Sequence, residues 1–451
     1  MVGKVHNGKQ NPHKSFQVKK GKPTLVSPAA ENNKGSVYFL SNVDGDLSKV
    51  LTRTLYCFKS GGPSAAEVIR NALSKVLVHY YPLAGRLVVS PEGRLAVSCT
   101  GEGVVFVEAE ADCALDDVDF SKPDKATRGK LVLYDVPGAR NKFEIPLMAQ
   151  QVTKFKCGGF VLGISFNHVL VDGQAAVEFI VSWAETARGL PLSVPPFINR
   201  TILEARIPPK IEFLHPEFIP IEDKSSPSPS TTTINNKDDT VSKYIKFTPQ
   251  MIQTAKSKTT HESTSPIKPC STFEALAAFV WRARTRALEM NPNQLTRILL
   301  VVNTRGKFSP PLPKGYFGNA IKFAPAHSLA GKLVKKPLSY AVARIQEAVR
   351  SVNDKVLRST IDYLEAAATK TGDQRRFDGY GVITVSQWSG LSFSATDFGW
   401  GEPFLSEPVE SERTIVFLRH PTEKGSFNVL VGLPVPAMER FEELVQEELC
   451  G

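Results

Sequence analysis

Long hydrophobic runs are missing from this 451-residue chain. None reaches the roughly 18 residues that span a bilayer, and Met1 to Pro23 is polar and lysine-dotted without a signal-peptide core. Both absences exclude a transmembrane segment and suit a cytoplasmic protein. Cysteine is sparse: Cys57, Cys99, Cys113, Cys157, Cys270 and Cys450 are scattered, with no CxxC pair and no neighbouring histidines at ligand spacing. A metal site and a disulfide framework are therefore not expected. No recognisable nucleic-acid module and no interleaving of basic and aromatic residues accompanies the net charge of +10. That excess fits an anionic small molecule, a membrane surface or simple solvation better than nucleic acid. No repeat period is visible. What is present, 42% apolar and 22% charged residues, is the balance of an ordinary globular protein.

The length exceeds what one core usually serves, so two domains of about 200 residues are expected. The clearest seam is 223–243, rich in Ser, Thr, Pro and charge, and it divides the chain into 1–222, a linker at 223–243, and 244–451. Ile69, Leu73, Val76 and Leu77 recur at helical spacing after Ser64, and the pattern stops at Tyr80-Tyr81-Pro82. Phe160 to Phe166 (FVLGISF) reads as a buried strand, and Ala175 to Ala187 as a helix. Thr248-Pro249 opens an element in the second half. Ser271 and Glu274 form a capping box ahead of a helix through Phe279 and Ala283, and Leu338 to Val352 reads as another. Strand-like runs follow at 381–385, 414–418 and 427–431, with a last helix near 437–447. Strands and helices mixed in both halves predict α+β or mixed α/β layers.

Between the 160–166 strand and the following helix stand His168 and Asp172 (HVLVD). A neutral imidazole can take a proton near physiological pH, and a nearby carboxylate can hold the backbone or fix a tautomer. The bland alternative is equally open on this motif alone: a histidine satisfied by a carbonyl beside a turn-forming Asp-Gly. Asp397-Phe398-Gly399-Trp400-Gly401 offers no nucleophile or base and reads as a tight turn.

These two motifs, more than two hundred residues apart, resemble the HxxxD and DFGWG signatures of the plant BAHD acyltransferases. Leu77 to Leu87 (LVHYYPLAGRL), Ser271 to Arg282 (STFEALAAFVWR) and Pro311 to Asn319 (PLPKGYFGN) are similar to three further family segments in the same order. The resemblance implies two similar-sized domains, each a mixed sheet with flanking helices, and a channel at their interface. It also implies transfer from acyl-CoA to an alcohol or amine, with no permanently bound cofactor, no acyl-enzyme and a monomer. His168 would be the base and Asp172 would steady the loop by pairing with Arg305. Trp388 and Ser386 would face the reaction intermediate. Ser271, Thr272, Arg305 and Asn319 would serve the acyl-CoA, while Asp397, Gly399 and Gly401 stay remote from the chemistry.

Within the family, Pro23 to Ala29, Tyr38 to Asn42, Val152 to Phe160 and Asp397 to Pro403 look most like hydroxycinnamoyl-CoA transferases, more narrowly those that feruloylate ω-hydroxy fatty acids and fatty alcohols for suberin and related waxes. Gly390 stands where many relatives have an arginine that grips an acceptor carboxylate, which suits a neutral or hydrophobic acceptor. Gln387, Ser394-Ala395 and Asn303-Thr304 also depart from the pattern, so an amine or a small or aromatic alcohol stays open as acceptor. Two further alternatives are a degenerate member that binds acyl-CoA without catalysis and a peptide-synthesising condensation domain. His168 and Gly173 are present against the first, and Asn167 and DFGWG stand against the second.

Overall fold

The computed structural model describes residues 16–31, 33–48, 50–134, 143–221, 240–260, 269–368, 380–411 and 414–450. The mixed α/β expectation holds: three sheets are flanked by helices. The largest runs in the order Val18–Lys20, Val104–Ala111, Met148–Lys154, Phe160–Asn167, Leu51–Phe58, Leu405–Pro408, with Thr24–Val26 also pairing Val104–Ala111. All its pairings are antiparallel except 104–111 with 148–154. Phe160–Asn167 is buried at every position, so its apolar run fills a central strand covered on both faces. Helices Ala65–Val76 and Gly173–Ala187 pack on this sheet and on each other, and the Trp183 indole N–H donates to the Ile69 carbonyl at 2.8 Å.

The second sheet runs Thr240–Phe247, Phe427–Pro434, Thr414–Arg419, Val382–Gln387, Leu295–Asn303, Ile321–Leu329, and it is parallel on both sides of 382–387. Helices Thr272–Ala287, Leu338–Ser351 and Val435–Leu449 build its core. Trp281 is fully buried there, with its indole N–H on Thr296 Oγ1 at 3.0 Å. A small third sheet joins Val37–Phe39, Leu95–Ser98 and Arg86–Val89.

Two details depart from the simple division read from sequence. Thr240 to Lys243, placed in the linker, already pair with Pro434 to Val431, while 222–239 lie outside the described residues. Leu405–Pro408, from the C-terminal half, pairs with Leu51–Phe58 and so completes the N-terminal sheet. That crossover is held by burial of charge as well as by the ladder. Arg128 bonds Glu407 at 2.8 Å, Tyr244 Oη at 2.9 Å and the Pro408 carbonyl at 2.9 Å, tying both sheets to one buried pair. Among the described residues no helix is long and apolar enough to cross a membrane.

Candidate active site

The strand Phe160–Asn167 ends where the chain must turn into a helix, and the connector is 168–172. The His168 amide donates to the Val50 carbonyl at 2.9 Å, which fixes the residue at the sheet's end. Asp172 is the N-cap, its Oδ1 accepting from Ala175 N–H at 2.9 Å, as a helix start requires. The same carboxylate takes both guanidinium ends of Arg305, at 2.7 and 2.9 Å, and the Ala320 N–H at 2.9 Å. Arg305 also donates to the Tyr316 and Gly318 carbonyls. Asp172 therefore staples the N-terminal motif to the C-terminal 316–320 loop. Burial alone would raise its pKa, but the Arg305 charge and these donors override that and hold it below the usual carboxylate range. At Gly173 an added Cβ would sit 2.9 Å from Leu391 Cδ1, so the missing side chain lets the 388–391 turn close on the helix.

The imidazole is oriented from a different direction. Asn319 Nδ2 donates to the His168 carbonyl at 2.7 Å and to Asp44 Oδ1 at 2.9 Å. With its amide hydrogens committed, Asn319 can present only Oδ1 to the ring, 3.0 Å from His168 Nδ1. Nδ1 must then carry the proton, and Nε2 is left as the acceptor. Behind Asn319, Asp44 Oδ2 takes the Ser41 N–H and hydroxyl and pairs with Arg200 at 3.1 Å, both side chains being fully buried. Arg200 in turn holds the Phe317, Val169 and Leu170 carbonyls, gripping the loops on both sides of the histidine. Burial lowers the His168 pKa below its ordinary value, an effect that the Asp172 charge offsets only in part. The ring is therefore neutral at physiological pH.

Asn319→Ala removes this lock without touching Nε2. The expected loss in kcat/KM is about tenfold or more, part of the roughly 10²–10⁴ that a positioned base contributes. A steady-state pH series on a variant with unchanged melting checks it, and an unaltered rate would mean that the ring needs no such support.

His168 lines a cavity of about 670 Å³. Its wall includes the aromatic side chains Phe166, Phe323, Trp388, Phe393 and Tyr56, with Phe393 between Trp388 (5.2 Å) and Tyr56 (6.1 Å). Trp388 and Ser389 N–H groups both donate to the Phe417 carbonyl, fixing the turn that carries the indole. Ser386 and Gln387 line the same wall. Thr54 Oγ1 and Tyr56 Oη, two residues apart on one strand face, are buried there with no well-formed hydrogen bond. Arg305 lines the cavity while anchored on Asp172.

Other expected positions lie elsewhere. Ser271 Oγ accepts Glu274 N–H in a capping box, and neither Ser271 nor Thr272 is in the cavity wall. Asp397 Oδ1 accepts the N–H groups of Gly399 (2.7 Å) and Gly401 (2.9 Å), whose φ of 110° and 86° suit glycine. Phe398 and Trp400 pack edge-on against Phe58, Trp183 and Phe160, so this turn anchors the crossover in the N-terminal core. Asp44, Arg200, Thr54 and Tyr56 are site residues that sequence reading passed over. The local signals were the Ser41–Asp44 capping box and the i, i+2 spacing of hydroxyls in the 51–58 strand. Among the described residues no cluster of His, Cys, Asp and Glu could hold a metal.

The model of the Transferase family matches residues 16–448, and the chain belongs to that family, the acyl-CoA-dependent BAHD acyltransferases that its signatures resemble. It is 51% identical over 436 residues to an omega-hydroxypalmitate O-feruloyl transferase of Arabidopsis thaliana, covering 95% of this chain and 92% of the relative. A fatty alcohol:caffeoyl-CoA acyltransferase of the same plant is 45% identical over 435 residues, covering 95% and 98%. The crystal structure of vinorine synthase shares the fold, with a TM-score of 0.73 at 19% identity over 96% of this chain and 98% of that one.

Proposed function

We propose that the protein transfers a hydroxycinnamoyl group, feruloyl in type, from coenzyme A to the hydroxyl of an ω-hydroxy fatty acid or fatty alcohol, within one ternary complex. The observation that carries the chemistry is the commitment of His168 Nδ1 to Asn319 Oδ1, which leaves Nε2 as the proton acceptor of a ring on the cavity wall. Nε2 takes the acceptor O–H proton as that oxygen bonds to the thioester carbonyl carbon. The tetrahedral intermediate collapses by breaking the C–S bond, and the thiolate leaves with the proton from the imidazolium. Ser386 and Trp388 line the cavity wall, and in this reading they stabilise the developing oxyanion. Arg305 and Asn319 hold the loops that shape the acyl-CoA side. Aromatic side chains on the wall beside the buried hydroxyls of Thr54 and Tyr56, which meet each other, suit a planar ring with a phenolic oxygen. The sequence division into 1–222 and 244–451 then reads as two halves that share the site, in a cytoplasmic monomer with no resident cofactor.

The test is an end-point assay with feruloyl-CoA against ω-hydroxy fatty acids, fatty alcohols, aromatic alcohols and amines, read by mass spectrometry. Long-chain esters are expected, and amides or small esters alone would overturn the acceptor assignment. Position 390 offers a second check. It is exposed, and a Cβ there meets nothing within 4 Å, so Gly390→Arg is accommodated. It should raise the standing of small acceptors with a carboxylate near the reacting hydroxyl, and an unchanged ranking would show that residue 390 does not face the acceptor.

A further inference from the structure

The cavity differs at its two ends. Around Tyr56, Phe166 and Phe393 it is closed, since all three side chains are buried. At the other end, apolar side chains that line it also meet solvent: Val50 is 40% and Leu51 42% exposed. Val301, Ile321 and Phe323 of the C-terminal half line the cavity too, and each is partly exposed. The Asp44–Asn319 bonds bring these two sides together. The 47–51 turn leaves Asp44 through the Leu47 N–H on its carbonyl, and Ile321 follows Asn319 by two residues. Ile321 and Phe323 share one strand face, with Phe323 beside Val301 in the ladder. Large apolar side chains exposed singly are ordinary, but these are contiguous with the cavity that holds the base. The base sits where this end begins, for the His168 N–H is on the Val50 carbonyl and Leu51 pairs with Asn167. From Asn319, which holds the ring, Ile321 and Phe323 lie roughly 7 and 13 Å along the strand.

We propose that this end is an open apolar mouth, which leads the saturated chain of the acceptor from its hydroxyl at His168 out into solvent, and that Val50 and Leu51 set the preference for long chains. The inference rests on the long-chain acceptor reading above and adds to it the path of the chain. A closed end suits a ring of fixed size, whereas an open one accepts any length. A chain that outruns the strand face ends in solvent, so its last group, carboxylate or methyl, touches no part of the wall. One site then serves an ω-hydroxy fatty acid and a fatty alcohol alike.

The test measures kcat/KM with feruloyl-CoA as donor for primary alkanols from butanol to dodecanol, and for 16-hydroxyhexadecanoic acid, its methyl ester and hexadecanol. The proteins compared are the wild type, Leu51→Glu, Val50→Glu and Leu51→Met. In the wild type kcat/KM should rise about fourfold for each added methylene, the worth of one buried CH2, and level off once the chain clears the mouth. The acid, its ester and hexadecanol should fall within a few-fold of one another. Both glutamate variants should lower the dodecanol-to-butanol ratio about tenfold or more, through KM, because a charge replaces apolar wall. Leu51→Met keeps the apolar contact and should hold the wild-type ratio. Both positions are exposed, and two separate sites keep the comparison decisive if one variant folds poorly. A ratio unchanged in both glutamate variants overturns the mouth. A KM for feruloyl-CoA that rises equally with every acceptor overturns it too, by giving the opening to the donor. So does a preference of about tenfold or more for the acid over its ester, which puts the chain end in a closed subsite. If the wild type acylates none of the long chains, the acceptor reading itself has failed, and the mouth with it.

Discussion

His168→Ala is expected to lower kcat/KM for feruloyl transfer by about a hundredfold or more, the usual worth of a positioned general base. Folding should be intact. The ring is only partly buried against the cavity, and its removal leaves Asn319 Oδ1 facing a space that water can enter. The backbone anchor to Val50 does not depend on the side chain. Steady-state kinetics with a thermal melt separates the effects. Activity within a few-fold of wild type would remove the mechanism, and a collapsed melt would mean that the ring is a structural element.

Asp172→Ala should behave in the opposite way, with stability and rate falling together. The side chain is buried and satisfies the Arg305 guanidinium and two backbone N–H groups from separate segments. Deleting one partner of a buried pair strands the other charge, typically at about 3–5 kcal/mol. The loosened 316–320 loop carries Asn319, so the histidine lock is lost with it. Because the folded pKa lies below the unfolded value of 3.8, the stability that this carboxylate confers is present above that pH and lost as pH falls through the folded value. The variant should therefore melt much lower than wild type at pH 7, with the gap narrowing on acidification below about pH 4. A large loss of rate with an unchanged melt would place Asp172 in the chemistry instead.

Much of this was legible because its signals are local. The buried strand 160–167, the HxxxD turn and the helix that Asp172 caps follow one another in a single stretch of chain, and the capping box at Ser271 is complete within four residues. What stayed hidden depends on distance along the chain. Asn319 meets Asp44 across 275 residues and His168 across 151, so no window of sequence shows that an amide is trapped between them. Arg200 reads as an ordinary loop cation until three carbonyls and Asp44 close around it. The 51–58 strand mixes Thr and Arg with apolar residues because Leu55 and Cys57 enter one core cluster and Tyr56 and Phe58 another, while Leu51 to Thr54 and Tyr56 line the cavity. That mixture blurs its period. The 405–408 strand gave no sign in sequence that it belongs to the other half's sheet. Ser271 shows how local such a signal is, since its hydroxyl and Glu274 complete the cap of the helix that follows.

The most direct test of the account is the pH dependence of kcat/KM for feruloyl transfer to a long-chain ω-hydroxyl, because that ratio reports the free enzyme's ionisations. A base that burial holds neutral predicts one acidic limb whose midpoint lies below 6.5, the ordinary histidine value, and a flat rate from there through neutrality. A limb centred above 7, or none at all, would contradict the assignment of His168 Nε2 as the proton acceptor.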